Sequence, residues 1–507
     1  MKKTFFGSLT IASLTAGLAF AQLGAPTTTP VGSSAVQLPL SGRAGQSGSV
    51  ATSQQPVPGA TTSVNTINTT IQVQGPYAGS TSSAARAPFT GKLSLRDAVQ
   101  RGLTYNLGAV GMAQAVRQAE GQVRVARSAL MPNLNGAFRE NYLTEDLQAM
   151  GIRLAILPKV VGPINYFDLR ATLTESFVDM TALNNVRAAK DIVHANQQSV
   201  ADARDVIVLA VAGSYLQVIA ARARVESARA QVETAKAVYS QTLQMRQAGV
   251  SAQIEVNRAL VQQQTQQQRL ATLENDLARQ KINLARLTGL PPNAEYDLSD
   301  SIAFAPPPAL TVDDAVQQAL AARADLKAAD EQVHAAEHAR AAAKAERLPS
   351  LAVSADLGEI GPRFNQGAAT YTVAGSVKIP IWQGGRATGD IEQSEAALDQ
   401  RRAELDDLRG RIESDVRNAY LDLQAAESQL DLARNNQDLA RESLRLSREK
   451  LDAGVTDSVE VTQAQEAVAS SELDYITALF AHNLAKLSLA RALGQTEQKL
   501  PDYIKVQ

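Results

Sequence analysis

The sequence predicts a mainly α fold with a smaller membrane β-barrel portion, and three observations predict it. Residues 92–495 hold one unit written twice, each copy has a nearly unbroken helical stretch (about 182–247 and 386–452), and each has two alternating strands. Helices that long need neighbours along their whole length. We therefore expect a trimeric α-barrel tunnel of long coiled-coil helices joined to a 12-stranded β-barrel, with four strands per chain and an internal tandem repeat.

Composition excludes several other classes of protein. The chain has 507 residues, no cysteine, 49 Lys and Arg against 51 Asp and Glu, and a formal net charge of −2. The lack of cysteine excludes disulfides and thiolate zinc sites. The balanced charge argues against nucleic acid as the main partner. Beyond the N-terminus we find no apolar run long enough to predict a transmembrane helix.

The first 90 residues are predicted to be an export signal and a tail. Lys2 and Lys3 precede an apolar stretch that ends in Ala19-Phe20-Ala21, which predicts a secretory signal peptide over 1–21. Residues 22–90 are rich in Ser, Thr, Gly and Pro, with a short β-like patch at 70–73. They predict an extended or disordered low-complexity tail, and a position over the folded body is equally open.

Self-comparison shows the duplication. Residues 93–100 match 310–317 and residues 131–134 match 348–351, both at a spacing of 217. Further on, 248–250 match 453–455 at a spacing of 205, as Tyr215 matches Tyr420. The first copy therefore carries about 12 extra residues, which we place in a loop near 143–163. Repeat one is assigned to 91–309, including an equatorial linker, and repeat two to 310–507, including a C-terminal tail.

Each copy is predicted to contain a helix, two strands, a very long helix and a returning helix. Ser94-x-x-Asp97 and Thr311-x-x-Asp314 are typical of capped helix starts. These first helices, of about 36 residues, should end before Pro132 and Pro349. The returning helices should end at Gly289 and Gly494.

The strands are predicted from a period of two, with one apolar and one polar face. The clearest are 351–357 and 370–382 in repeat two and 167–177 in repeat one. Each is about 9–12 residues long, enough to cross a bilayer when tilted. Four strands leave bare edges, which lipid does not tolerate, so copies of the chain must join. Three copies give twelve strands and a hollow ring of helices.

The second long helix carries a heptad-like seam. Its apolar positions step by three or four: Leu405, Leu408, Ile412, Val416, Ala419, Leu423, Ala426, Leu430 and Ala433. This spacing predicts packing against a neighbouring helix along most of its length. The returning helix of repeat two shows two apolar faces, which favours a ring of helices over a simple two-stranded coil.

A set of weak motifs becomes specific through its order. It comprises Leu-Pro-Ser-Leu at 348–351, Ile-Pro-Ile-Trp-x-Gly-Gly-Arg at 379–386, and Ala-Gly-Val-x₄-Glu-Val at both tips, 248–256 and 453–461. With the duplication, these features resemble the TolC family of outer-membrane efflux and secretion proteins over about 92–495. The resemblance implies a homotrimer in outer-membrane lipid, with a large periplasmic portion and a tapered, gated tip. It implies no enzyme activity and no cofactor.

The same resemblance implies partners and gate residues. The partners would be a periplasmic adaptor (membrane fusion) protein and an inner-membrane pump or secretion ATPase. Glu460 falls where the family often has a pore-facing carboxylate, and Glu255 where an acidic gate residue pairs with an Arg. Thr456 stands at that Arg position and Gln463 replaces a second carboxylate. Other candidate tip residues are Asp452 and Asp457, with turns at Gly249, Val250, Gly454 and Val455. These carboxylates could equally solvate the tip or favour helix starts.

Two alternative functions are kept open. His334-Ala-Ala-Glu337-His338 fits the H-x-x-E-H string of a zinc-dependent hydrolase, although the matching segment 117–121 of repeat one keeps only the Glu. A structural role for the helix explains both copies, so we assign no metal, catalytic or cofactor site. A soluble periplasmic coiled-coil adaptor or scaffold is the other alternative, and the alternating strands count against it.

Overall fold

A computed structural model gives the architecture of the chain. It describes residues 49–58, 65–81, 91–147, 149, 158–301, 304, 306, 310–453, 455 and 458–505. The predicted signal peptide, 1–21, lies outside this part, as do the tip residues Gly454, Thr456 and Asp457. For Asp452 only the backbone is described.

The two copies have the same order of elements. Repeat one comprises α1 (Leu95–Tyr105), α2 (Leu107–Ser128), β4 (Asn133–Asp146), β5 (Val160–Val178), α3 (Met180–Gln247) and α4 (Gln253–Leu287). Repeat two comprises α5 (Val312–Ala322), α6 (Ala324–Ala345), β7 (Ser350–Gly361), β8 (Ala368–Lys378), α7 (Arg386–Asp452) and α8 (Ser458–Ala492). Shorter elements are β1 (Ser49–Pro58), β2 (Asn65–Gln74), β3 (Gly91–Leu93), β6 (Tyr296–Leu298) and α9 (Thr496–Tyr503).

The first helix of each copy is not continuous, which corrects the prediction of one helix of about 36 residues. The break falls at Asn106 in repeat one and at Arg323 in repeat two, both with extended ψ angles, 135° and 126°. The Asn106 side chain caps the new helix by accepting a hydrogen bond from the Gly108 N–H. The predicted helix starts are present, because Ser94 and Thr311 accept from the Asp97 and Asp314 N–H groups.

The four strands form one antiparallel sheet in the order β4-β5-β7-β8. In-register rows such as Leu134, Leu173, Ala355 and Val373 lie on one face. Arg170, which pairs with Asp168 and Asp356, lies on the other face. The apolar side chains are exposed, as Leu357 at 64 % and Val373 at 71 % show. An uncovered apolar face of this size is unfavourable in water and favourable in lipid.

Strand lengths differ from those predicted. β4 and β5 have 14 and 19 residues, longer than expected, so the extra residues of repeat one lie partly in the strands and partly in the loop between Asp146 and Val160. β8 ends at Lys378 rather than at Trp382. Pro380 explains this early end, since it has no N–H to donate to a neighbouring strand.

The helices form four columns side by side. α3 packs against α2 and α6 near the strands and against α4 and α8 farther away, while α7 packs against α6 and α8. The column order is therefore α2/α4, α3, α6/α8, α7, and the predicted seam of α7 faces its neighbours, with Ile412 and Val416 fully buried. Within the described residues, one side of α7 and one side of the α2/α4 column face no other helix of the chain.

Among the described residues, one helix segment is long and apolar enough to cross a membrane by length and composition, whereas none was predicted from the sequence beyond the N-terminus. It lies in α3, and most of it is buried inside the protein. Tyr215, Leu216, Ile207 and Val211 belong to the main hydrophobic core at mid-height of the columns. A buried apolar segment of this kind is typical of a core helix. Its apolar side chains therefore explain why α3 lies at the centre of the fold.

The N-terminal segment is part of this core in the residues that the structure describes. β1 and β2 form an antiparallel hairpin, and residues 71–81, which we term the strap, lie across the columns. Ile71 packs on Gly213, and the Tyr77 ring packs on Gly108. The sequence left open whether residues 22–90 are extended, disordered or placed over the folded body, and the strap contacts agree with the last of these. The contacts themselves could not be predicted, because they depend on glycines far along the chain.

Candidate functional site: the two helix-hairpin tips

The first tip is the turn between α3 and α4. Gly249 has a φ of +76°, a conformation that favours glycine. The Val250 N–H donates to the Met245 carbonyl at 2.9 Å, and the Gly249 N–H donates to the Arg246 carbonyl at 2.8 Å. This is the pattern of a Schellman helix end. It leaves the Val250 side chain 77 % exposed at the far end of the hairpin.

The second tip repeats this geometry in its described residues. The Val455 N–H donates to the Lys450 carbonyl at 2.9 Å, and Val455 is also 77 % exposed. Gly454, Thr456 and Asp457 lie outside the described residues, so their predicted roles remain predictions. Two exposed valines at matching positions are nevertheless a property of both hairpins.

Glu460 lies in the first turn of α8 and contacts α7. Its Oε1 accepts hydrogen bonds from Lys450 Nζ at 3.0 Å and from Ser447 Oγ at 3.4 Å. The ion pair crosses the tip and ties the two helices of this hairpin together. The Glu460 side chain is 38 % exposed, so its carboxylate keeps access to solvent. Glu460 was a candidate from the sequence, whereas its partners Lys450 and Ser447, which lie one and two turns before the tip, were not.

Glu255 occupies the matching position in the first tip but has a different kind of partner. Arg258 donates to its Oε1 at 2.7 Å, within α4 itself. The i,i+3 spacing of Glu255 and Arg258 was readable from the sequence. The side chain of Gln463, the other candidate, is exposed on α8. The structure thus gives the two tips unequal carboxylates, one bonded across its hairpin and one bonded along its helix.

A groove between the two hairpins lies directly beside these carboxylates. Its lining is mostly polar: Thr234, Gln241, Thr242, Ser251, Glu255, Arg448, Thr462 and Gln465, with a few apolar residues such as Met245. The Gln465 side chain is buried, and its Nε2 has no hydrogen-bond partner within the described residues. Helices packed through polar and small side chains gain less from burial than the leucine-rich core at mid-height.

The zinc-hydrolase alternative finds no support in the geometry of its glutamate. Glu337 accepts a hydrogen bond from Arg402 at 2.8 Å. This bond, with a smaller contribution from His334, lowers the pKa of Glu337. A metallopeptidase glutamate acts as a general base and gains from a raised pKa. Glu337 is instead committed to an ion pair between α6 and α7.

The fold and its open edges define a class of membrane proteins that complete their barrels with several copies of one chain. Comparison with known proteins identifies the family. A model described as "Outer membrane efflux protein" matches residues 110–290 and again 315–495. The chain belongs to the outer membrane efflux protein family. This confirms the predicted resemblance, the tandem repeat, the transport class and the outer-membrane location with periplasmic helices.

Solved structures share the fold. The CmeC outer membrane channel of Campylobacter jejuni is 16 % identical, with a TM-score of 0.70 over 80 % of this chain and 88 % of that one. VceC of Vibrio cholerae is 18 % identical, with a TM-score of 0.68 over 79 % of this chain and 96 % of that one. The MtrE channel of Neisseria gonorrhoeae is 16 % identical, with a TM-score of 0.66 over 79 % and 89 %. No curated protein sequence matches the chain.

Proposed function

We propose that the chain is one subunit of a homotrimeric exit duct that crosses the outer membrane and extends into the periplasm. One observation carries the proposal: the sheet and the helical layer are open at the same two sides. The outer strands are β4 and β8, and the outer columns are α2/α4 and α7. β4 follows α2 and β8 precedes α7 in the chain, so each open side continues from strands to helices. A second copy that joins one side covers both layers at once.

The exposed apolar residues on the outer columns support this closure. Leu421, Leu432, Leu439 and Leu446 are spaced by 11, 7 and 7 residues on α7 and are 45 to 69 % exposed. We term them the leucine stripe. On the other side, α4 exposes Ile254, Val261 and Ile282 at multiples of seven residues. Such spacings keep side chains on one face of a helix, as at coiled-coil seams. The leucine stripe of one subunit would pack against α4 of the next.

The duct is passive in this proposal, and energy comes from its partners. The exposed Val250 and Val455 lie where an apolar side chain has no packing role inside the chain. They would contact a periplasmic adaptor protein, which links the duct to an inner-membrane pump or a type I secretion ATPase. The Glu460 carboxylates would lie at the constriction, where a ring of carboxylates favours cations. The gate would open when the contacts across the tip are lost.

The decisive experiment is cell fractionation followed by mass measurement of the purified protein in detergent. We expect the protein in the outer-membrane fraction and a mass of three chains. A water-soluble single chain would contradict the duct and would favour the scaffold alternative. Cross-linking from a photoreactive residue at position 250 or 455 then tests the adaptor. A position on the exposed outer face of α7, such as Asp438, is the control.

A further inference from the structure

Three of the four histidines of the chain lie around one carboxylate, far from the tips. Asp191 and His194 are on α3, and His334 and His338 are on α6. The Nε2 atom of His338 lies 3.7 Å from Oδ2 of Asp191. That oxygen is buried and has no hydrogen-bond partner in the part of the chain that the structure describes. Neither the duct nor the gate gives this cluster a role.

The distance between His338 and Asp191 is informative. An N–H···O hydrogen bond spans about 2.7–3.2 Å, so 3.7 Å is too long for one. Two ligands at about 2.1 Å from a tetrahedral metal ion are about 3.4 Å apart. The two atoms are within ion-pair distance and close to the spacing of two ligands that share a cation. A buried carboxylate oxygen without a partner is otherwise unfavourable. Burial accordingly raises the pKa of Asp191, against the attraction of His338, His334 and His194.

The helices bring further ligands to the same place. His334 precedes His338 by four residues, so both lie on one face of α6. Because α6 runs antiparallel to α3, His194 is level with His334. The His334 Nδ1 lies 3.5 Å from Glu337 Oε2, and its side chain is 54 % exposed. Among the described residues no three such groups converge on one point as they stand. A rotation of the exposed His334 toward Asp191 would complete the set.

We propose that Asp191, His338 and His334 form a binding site for a divalent transition-metal ion of the Zn²⁺ type, with His194 in reach as a fourth ligand. Imidazole and carboxylate ligands favour Zn²⁺, Ni²⁺ or Cu²⁺ over Mg²⁺ or Ca²⁺. The ion cross-links α3 to α6 in the half of the columns nearest the strands. Repeat one has Arg117 and Gly121 at the equivalent positions, so each chain holds one such site.

Calorimetry on the full-length protein tests the site. The protein, purified in detergent without a histidine tag, is treated with EDTA, desalted and titrated with ZnCl2 near neutral pH. We expect one Zn²⁺ per chain and no comparable heat from MgCl2. Asp191→Asn and His338→Asn should each weaken Zn²⁺ binding at least tenfold. Glu392→Gln, which changes an exposed carboxylate on α7 outside the cluster, is the matched control and should keep wild-type binding.

A second measurement needs no variant. Tetrahedral Co²⁺ with histidine and carboxylate ligands absorbs visible light much more strongly than octahedral Co²⁺, so CoCl2 should give this absorption at one equivalent per chain. Zn²⁺ should then remove it. Weak octahedral absorption, or Zn²⁺ binding that survives in the Asp191→Asn, His338→Asn double variant, would overturn the site. Loss of binding in Glu460→Ala instead would assign the ion to the tip.

Discussion

Asn106 and Arg323 occupy the same position in the two copies, 217 residues apart, and hold the helix break by different means. Asn106 is fully buried and donates from Nδ2 to the Tyr77 carbonyl at 2.7 Å, so the strap completes its hydrogen bonds. Arg323 pairs with Asp325 at 2.6 Å and with Asp415 at 3.1 Å. The helix break is at the same position in both copies although different side chains stabilise it. This indicates that the break itself has a structural role.

Gly108 next to this break should not tolerate a side chain. A Cβ there would overlap the Tyr77 ring. We expect Gly108→Ala to destabilise the protein by about 1–3 kcal/mol through overpacking. Gly111→Ala on the same helix meets open space and should stabilise by up to about 1 kcal/mol. Thermal unfolding of both variants checks this. In a double-mutant cycle, Tyr77→Ala should remove much of the Gly108→Ala penalty, and additive costs would contradict the contact.

His482 should make the stability of the protein depend on pH. It is fully buried on α8, and neither ring nitrogen has a hydrogen-bond partner among the described residues. Burial, together with Lys486, lowers its pKa to about 4, against the attraction of Asp431. As the pH falls below the ordinary value of 6.5, the unfolded chain takes up the proton first. The contribution of His482 is therefore intact above pH 6.5 and is lost progressively toward pH 4, at about 1.4 kcal/mol per unit.

Apparent melting temperatures at about pH 7.5 and 5, at one scan rate and in EDTA, test this. His482→Phe should reduce the pH dependence, since it removes the titrating group and can still stack on Phe304. His194→Gln, a change of an exposed histidine, should leave the dependence as in the wild type. An unchanged dependence in His482→Phe would assign it to another group.

The Glu460 carboxylate gives the gate hypothesis a measurable form. In single-channel recordings, Glu460→Ala should weaken block by divalent cations, because the proposed ring loses its charge. Lys450→Ala should strengthen that block, since it removes the cation paired with Glu460 at 3.0 Å. A partly exposed pair contributes only about 0.5 kcal/mol to stability, so conductance is the better readout. Gln463→Ala is the control. If all three variants are blocked as strongly as the wild type, the Glu460 carboxylate does not face the pore.

At the scale of elements, the long helices and the strand pairs were predictable and their interruptions were not. The expected helices at 182–247 and 386–452 are found at Met180–Gln247 and Arg386–Asp452. Apolar periodicity is a strong signal over such lengths. The breaks at Asn106 and Arg323 carry no Pro or Gly, and contacts with distant residues determine them. The contacts of the strap, and the elements β3, β6 and α9, were not predicted for the same reason.

The two faces of β8 should respond oppositely to charge. Val373 lies on the apolar face with Leu173 and Leu134, while Thr372 lies beside Asp356 on the face that carries Arg170. A Lys on a lipid-facing position near mid-membrane costs about 2–4 kcal/mol. We expect Val373→Lys to reduce outer-membrane assembly strongly and Thr372→Lys to assemble normally. Heat-modified mobility and protease resistance of the membrane fraction measure assembly. If Val373→Lys assembles normally and Thr372→Lys does not, the assignment of the lipid-facing and pore-facing sides of the sheet is the reverse of the one proposed.

At the scale of the whole molecule, we expect trimer assembly to depend on the exposed surface of α7, because this helix lies at an open side of the chain. Leu432→Asp and Leu439→Asp should prevent or weaken trimer formation, since each buried leucine contributes about 1.5–3 kcal/mol and three equivalent contacts are lost together. Mass measurement in detergent checks this. Asp438→Ala, on the same helix but off the leucine stripe, should leave the trimer intact. If the Leu432→Asp variant forms a trimer of normal stability, the contact between subunits does not involve the leucine stripe at this position.

The sequence could predict that copies must join but not which residues do so. An exposed leucine and a buried one give the same periodic pattern, and only the column order shows that Leu423 faces a neighbour within the chain while Leu432 does not. The repeat aligns Glu460 with Glu255, and the resemblance to the family made Glu460 a gate candidate, a role that stays a prediction. Lys450 was not, because its pairing depends on how α7 and α8 cross at the tip.

The helix breaks have a mechanical consequence for the assembled tube. Gly289, at the end of α4, abuts Tyr105, and Gly494, at the end of α8, abuts Arg323, so both two-piece columns are jointed at mid-height. α3 and α7 pass that level as unbroken rods. In a ring of three subunits, continuous helices would alternate with columns that are interrupted at mid-height. We expect such a tube to stay rigid at the end next to the strands while the end formed by the hairpin tips widens.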